Sequence, residues 1–284
     1  MKAAIVSNPL KDEGFRIAAH AAELLSGAGA EVLVNAGLGF PKVAGVREAG
    51  EDELLGASDV IVTLGGDGTI LSVARGTAGR TPILGVNLGR KGFLTEVELK
   101  DMDGALLRLT RGDYRIDGRM MLEASVVDDT GRETLRVTAL NDIYVCGAVS
   151  PRLVHVEAML GESLAGRYAA DGVLVCSPTG STGYSLSAGG PVVSPDVECM
   201  VLTPVCAHTL SAAPLVLPAG ETVTLRAIPP TREARMNADG EERAHLPEGW
   251  RVEVRRAKTE AQFVRFGERD FYGLLRGKLV EWSD

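Results

Sequence analysis

The segment Gly65-Gly66-Asp67-Gly68-Thr69 sets one carboxylate inside a run of glycines, directly behind the apolar stretch Val60-Ile61-Val62-Thr63-Leu64. Glycines let backbone N–H groups approach a ligand closely, and a helix starting behind them favours negative charge. Gly65, Gly66 and Thr69 therefore make a candidate phosphate cradle. Asp67 has no place there as a phosphate ligand. It fits as a base for a hydroxyl, or as a holder of Mg2+ that neutralises phosphates. The chemistry this spacing points to is phosphoryl transfer.

A second constellation follows Asp171-Gly172 and the buried-looking run Val173 to Cys176. The stretch from Ser177 to Gly190 is dense in hydroxyls and glycines, with Tyr184 as its one ring. Such a loop binds sugar hydroxyls and amides through Ser and Thr groups and backbone N–H. The plain alternative is a polar connection between strands. Asn141-Asp142 lies between the apolar residues Leu140 and Ile143. It offers an amide donor, an amide acceptor and a carboxylate able to take two ribose hydroxyls, and the plain alternative is a hairpin turn. His20, His155, His208 and His245 read as structural or surface residues, and Arg90-Lys91 either as loop cations within reach of phosphate or as solvated charge at a sheet edge.

These residues need a frame. The first hundred residues alternate between strand-like and helix-like runs: strands at 3–7, 31–34, 60–64 and 82–86, helices at 15–28 and 70–77. That alternation predicts a parallel sheet covered on both faces, with ligands at the carboxyl ends of the strands. After Lys100 one helix is expected at 102–111, then short strands separated by turns, which predicts a β-sandwich-like domain. Residues 270–280 read as a closing helix.

With 284 residues the chain can build two modest domains with real cores. Its net charge of −8 argues against a general nucleic-acid or membrane-surface binder. The four cysteines form no CxxC pair, so reduced structural thiols, no metal site and a cytoplasmic location are expected. No run approaches the ~20 apolar residues of a membrane span. A Rossmann dehydrogenase is disfavoured, because Gly66-Asp67-Gly68 lacks the third glycine of G-x-G-x-x-G.

Taken together, the two loops resemble those of prokaryotic-type NAD kinases. The resemblance rests on Gly65 to Thr69, on Asn87 to Leu94, on Asn141-Asp142, on Asp171-Gly172 with the Ser177 to Gly190 loop, and on Thr203 to Ser211. The GGDG loop is shared with lipid and sugar kinases, whereas the Ser/Thr-Gly loop behind Asp-Gly discriminates. The resemblance implies a phosphate-donor α/β domain over 1–100, a β-sandwich NAD-binding domain over 101–266, and a segment 267–284 packing back on the first domain. It further implies transfer from ATP or polyphosphate, with Mg2+, to the 2′-hydroxyl of the adenosine ribose of NAD, in a homodimer or homotetramer. Asp67 would accept the hydroxyl proton, Asn141 and Asp142 would hold ribose, and Asp171 the carboxamide end. Gly68, Thr182, Gly183, Tyr184, Ser185, Leu186 and Ser187 would line the pocket, with Phe93 against a base. The chain departs from the family pattern at Asp142, where Glu is usual and one C–C bond (about 1.5 Å) longer. Ala169, Ala213 and Glu241 depart as well. A lipid or sugar kinase and a non-catalytic NAD-sensing module are the alternatives.

Overall fold

The computed structural model describes residues 1–90, 92–148, 153–208, 212–267 and 270–281, the side chains of 279–281 excepted. Lys91 and Thr209 to Ser211 lie outside them. The chain divides into a unit of Met1–Gly118 with Ala261–Asp284, and a unit of Arg119–Glu260.

In the first unit the elements are β1 (Lys2–Ser7), α1 (Arg16–Gly27), β2 (Glu31–Asn35), β3 (Val46–Ala49), α2 (Glu51–Gly56), β4 (Val60–Gly65), α3 (Asp67–Thr77), β5 (Ile83–Asn87), β6 (Val97–Glu98) and α4 (Met102–Thr110). The strands run β3-β2-β1-β4-β5, all parallel, so chain order reverses between β1 and β4. Both faces are covered. Val60, Val62 and Leu64 join a core with α1 and α4, and the intervening Ile61 is just as buried. Continuous burial of β4 explains its unbroken β-branched run. β3 and α2 were not expected from the sequence: β3 is a short, largely exposed edge strand, and α2 has only two apolar residues buried.

The second unit holds β7 (Arg115–Val127), β8 (Glu133–Ala139), β9 (Asp142–Gly147), β10 (Val154–Leu160), β11 (Ser163–Ala170), β12 (Gly172–Cys176), α5 (Tyr184–Ser187), β13 (Cys199–Val205), β14 (Leu215–Pro218), β15 (Val223–Ala227), β16 (Glu233–Ala238), β17 (Glu241–Pro247) and β18 (Arg251–Arg265). Antiparallel sheets ordered β11-β10-β15-β18 and β14-β13-β12-β9-β16-β17 bury their inner faces in one shared core, the sandwich the turn spacing predicts. β7 and β18 each cross a unit boundary, and α6 (Phe271–Glu281) closes the chain.

The boundaries expected at 100 and 266 fall elsewhere. Met102, Ala105, Leu106 and Leu109 on α4 pack with Ala18, Ala22 and Leu25 on α1, which keeps 101–118 in the first unit. Phe263 pairs with Ile83 of β5, so β18 re-enters that unit at Ala261. Among the described residues, no helix is long and apolar enough to cross a membrane.

Candidate active site

β4 delivers the glycine turn at its carboxyl end, and α3 begins at Asp67 with Gly66 in extended conformation before it. A Cβ on Gly65 would overlap the Thr69 hydroxyl, so the turn closes only around a bare backbone. The Asp67 carboxylate accepts the backbone N–H of Phe93 (2.7 Å) on one oxygen and that of Leu94 (3.0 Å) on the other. Two donors on separate oxygens fix the carboxylate plane and leave a lone pair on each. Gly92 is part of this arrangement, because a Cβ there would overlap the Asp67 carboxylate. Behind the turn, Leu88 N–H donates to the Gly65 carbonyl (2.7 Å). Buried Asn87 bridges the Gly89 carbonyl and the Glu98 carboxylate. Gly68 is exposed and Thr69 half-buried beside it. The Phe93 ring carries the Lys278 ammonium of α6 at 4.9 Å from its centroid, so a cation occupies one of its faces.

In the second unit the candidates spread along β12. Asn141 and Asp142 stand at one end, where Asp142 pairs with Cys176. The Asp239 carboxylate accepts the backbone N–H groups of Leu140, Asn141 and Asp142 at 2.9, 2.7 and 3.2 Å, which fixes the bend. Asp142 is 7% exposed. Burial, and then the neighbouring Asp239 charge, pushes its carboxyl up to about 7. Asp171 is exposed at the opposite end of β12, five strand residues or about 16 Å away. There Cys206 hydrogen-bonds to the Asp171 carboxylate, whose charge raises the thiol's pKa.

The loop expected from Ser177 to Gly190 contains short helical turns. A 3-10 turn at Thr179–Thr182 is followed by α5. A Cβ on Gly180 would overlap the Asn141 backbone, so this glycine lets the turn press against the bend. The Ser185 hydroxyl is fully buried and shares a 2.9 Å hydrogen bond with Thr203, so it serves the packing beneath the turn. Thr182, Gly183 and Leu186 are half-buried, while Tyr184 and Ser187 are exposed. The Tyr184 ring meets Tyr144 edge-on, centroids 5.3 Å apart. Burial, and then Tyr184, raises the Tyr144 phenol's pKa. Gly172 makes room for the Tyr144 ring, since a Cβ there would overlap it.

The first unit thus gathers Gly65, Gly66, Asp67, Gly68, Thr69 and Phe93. The second gathers Asn141, Asp142 and the 182–187 turn, with Asp171 at the far end of the same strand. Tyr144, Gly92 and Asp239 were not singled out for these positions. The only signals were an aromatic two residues beyond Asp142, a glycine before Phe93 and an Asp-Gly turn. Of the histidines, His20 lies against Asp103 (3.0 Å) and His245 against Glu233 (3.6 Å), both as exposed pairs.

A parallel sheet with an acidic glycine turn at its carboxyl edge, followed in the chain by an antiparallel unit with Asp142 and Asp171 at opposite ends of one buried strand, is the arrangement expected of a nucleotide-dependent phosphotransferase. Residues 3–114 match the model of the ATP-NAD kinase N-terminal domain, and residues 140–266 that of the C-terminal domain. An NAD kinase of Heliobacterium modesticaldum is 43% identical over 281 residues, 98% of each chain. One from Symbiobacterium thermophilum is 41% identical over 283 residues, again 98% of each. Among solved structures, an NAD kinase from Archaeoglobus fulgidus in complex with ATP superposes with a TM-score of 0.77 at 26% identity, covering 98% of each chain. Yeast NADH kinase complexed with NADH shares the fold at a TM-score of 0.87 and 24% identity, over 99% of this chain and 87% of that one. The chain belongs to the NAD kinase family, and it is an enzyme of that family.

Proposed function

We propose that the chain transfers the γ-phosphoryl group of ATP to the 2′-hydroxyl of the adenosine ribose of NAD, giving NADP and ADP. The observation that carries this is the Asp67 carboxylate, held at the end of β4 by the Phe93 and Leu94 N–H groups with a lone pair left on each oxygen. In the proposed step the 2′-oxygen bonds to the γ-phosphorus, the bond from that phosphorus to the β,γ-bridging oxygen breaks, and Asp67 takes the hydroxyl proton. Gly65, Gly66 and Thr69 cradle the donor phosphates, and Gly68 faces the dinucleotide. Asn141 and Asp142 hold the ribose, Thr182, Gly183, Tyr184, Leu186 and Ser187 line the dinucleotide over the packed Ser185, and Asp171 takes the carboxamide end. The separation along β12 suits an extended ligand.

Among the described residues no group of three metal-ligating side chains comes together. A hard cation that keeps its waters and binds through one carboxylate and substrate phosphates fits this donor set better than a caged one. Mg2+ is therefore proposed to arrive with the triphosphate, where it neutralises phosphate charge. Polyphosphate is the alternative donor, and assembly as a homodimer or homotetramer and a cytoplasmic location belong to the same reading. Light scattering of the purified chain tests the assembly.

The central test is Asp67→Asn. Turnover of NAD to NADP should fall about 10²- to 10⁴-fold, while NAD affinity changes less than threefold. NADP formation at the wild-type rate by this variant would remove Asp67 from the base role.

A further inference from the structure

Ser7 ends β1 beside Leu64 of β4, at the place where strand order reverses. Open α/β sheets bind ligands in the crevice at such a reversal. The connection leaving β1 is built rigidly there. Asn8 N–H donates to the Leu64 carbonyl (2.9 Å), and the Asn8 carbonyl accepts the N–H groups of Lys11 and Asp12, both at 3.0 Å. Asp12 is 2% exposed and accepts the Ser7 hydroxyl (2.8 Å) and the backbone N–H of Ile17 (2.9 Å) and Ala18 (3.0 Å). A buried carboxylate with three donors leaves the 8–12 turn little freedom.

This turn carries Lys11 over the phosphate cradle. Its ammonium stands 3.0 Å from where a Cβ of Gly66 would be and 3.1 Å from that of Gly89. It therefore bridges the glycine turns behind β4 and β5, within about 5 Å of either Cα. Among the described residues no carboxylate pairs with it. A cation reaching over two glycine turns with its charge uncompensated is positioned for an anion seated between them.

Resting on the phosphotransfer reading above, we infer that Lys11 is a donor-binding residue: its ammonium hydrogen-bonds the β- and γ-phosphate oxygens of the triphosphate held at Gly65–Thr69. The nucleoside and the NAD acceptor gain nothing from it. A charged hydrogen bond to phosphate lost without replacement corresponds to about a 10-fold or larger weakening.

Initial rates of NADP formation with ATP and NAD varied in turn, for wild type, Lys11→Met and Lys11→Arg, test this. The Lys11→Met variant should raise the KM for ATP at least 10-fold while the KM for NAD stays within twofold, and Lys11→Arg should recover part of the loss. The side chain is exposed, so both variants should melt with wild type. An unchanged KM for ATP overturns the inference. So does a parallel rise of both KM values, which would mark a general distortion. A wild-type chain that makes no NADP from any donor defeats the phosphotransfer reading instead, and the two failures are told apart by the wild-type rate alone.

Discussion

At the scale of single residues, the two carboxylates nearest the proposed ribose differ in their surroundings. Asp239 satisfies three backbone N–H donors, whereas Asp142 is buried beside that charge. Desolvation disfavours the charged form of Asp142, and the like charge adds to it. The folded-state value of about 7 stands above the unfolded one. The folded chain therefore holds this proton more tightly than the unfolded chain does. Asp142 contributes stability that is complete below about pH 4 and is lost as pH rises through 7. Asp142→Asn keeps the shape without the titration. Denaturant unfolding of both chains from pH 4.5 to 8.5 should show the variant gaining on wild type up to about pH 7 and levelling off above that. A constant difference at every pH would show that Asp142 is not held neutral by its setting.

At the scale of elements, the bend before β9 is made by one side chain from the β16–β17 turn. Asp239 sits in the left-handed region (φ 49°) and its own N–H donates to the Asp142 carbonyl at 3.0 Å. Asp239→Ala strips three donors of their acceptor. It should cost about 2–3 kcal/mol in unfolding free energy, and the KM for NAD should rise while that for ATP does not, read from equilibrium melts and initial rates. The same region shows where sequence reading stops. β4 was legible because its apolar run is buried on both faces, and β10 because Val154, Val156 and Ala158 recur at every second position and are buried. β16 and β17 alternate too, but with Arg, Asn, Glu and His on the outer face and Ala, Met or a single Leu inside, so no apolar run announces them. β9 begins at Asp142, and neither expectation for the Asn141-Asp142 pair, a ribose holder or a hairpin turn, extended into a strand. Asp67 stood out because glycines flank it, yet its N–H partners lie 26 and 27 residues on, in a segment with no periodic signal. The Ser177–Gly190 stretch had the composition of a loop. Its serines instead bond to the Pro178 carbonyl within the turn and to the Thr203 hydroxyl of β13 beneath it, a use that residue type alone does not disclose.

At the scale of the whole chain, the units differ in how the sequence supplies them. The second unit's core draws only on residues from Met120 to Val254. Its first and last strands, β7 and β18, pair with each other. The fragment Arg119–Glu260 therefore carries a closed core with both ends on neighbouring strands, and it should unfold in one cooperative transition with a β-type circular dichroism spectrum. The first unit is assembled from two separated pieces. Without residues 261–284 it loses Phe263, which is fully buried, and such a loss alone costs about 3–5 kcal/mol. It also loses Arg265, which is 1% exposed. The Arg265 guanidinium donates to the Leu94 carbonyl (3.2 Å) and pairs with Glu96 (3.1 Å) and Asp117 (3.2 Å). Removing it strands two carboxylates and frees the carbonyl of a residue whose N–H holds Asp67. The fragment Met1–Gly118 should thus fail to give a cooperative melt, and a chain ending at Glu260 should keep the second unit's transition while losing the first. If Met1–Gly118 melted as sharply as the intact protein, the return of the chain would be dispensable to the sheet that carries Asp67.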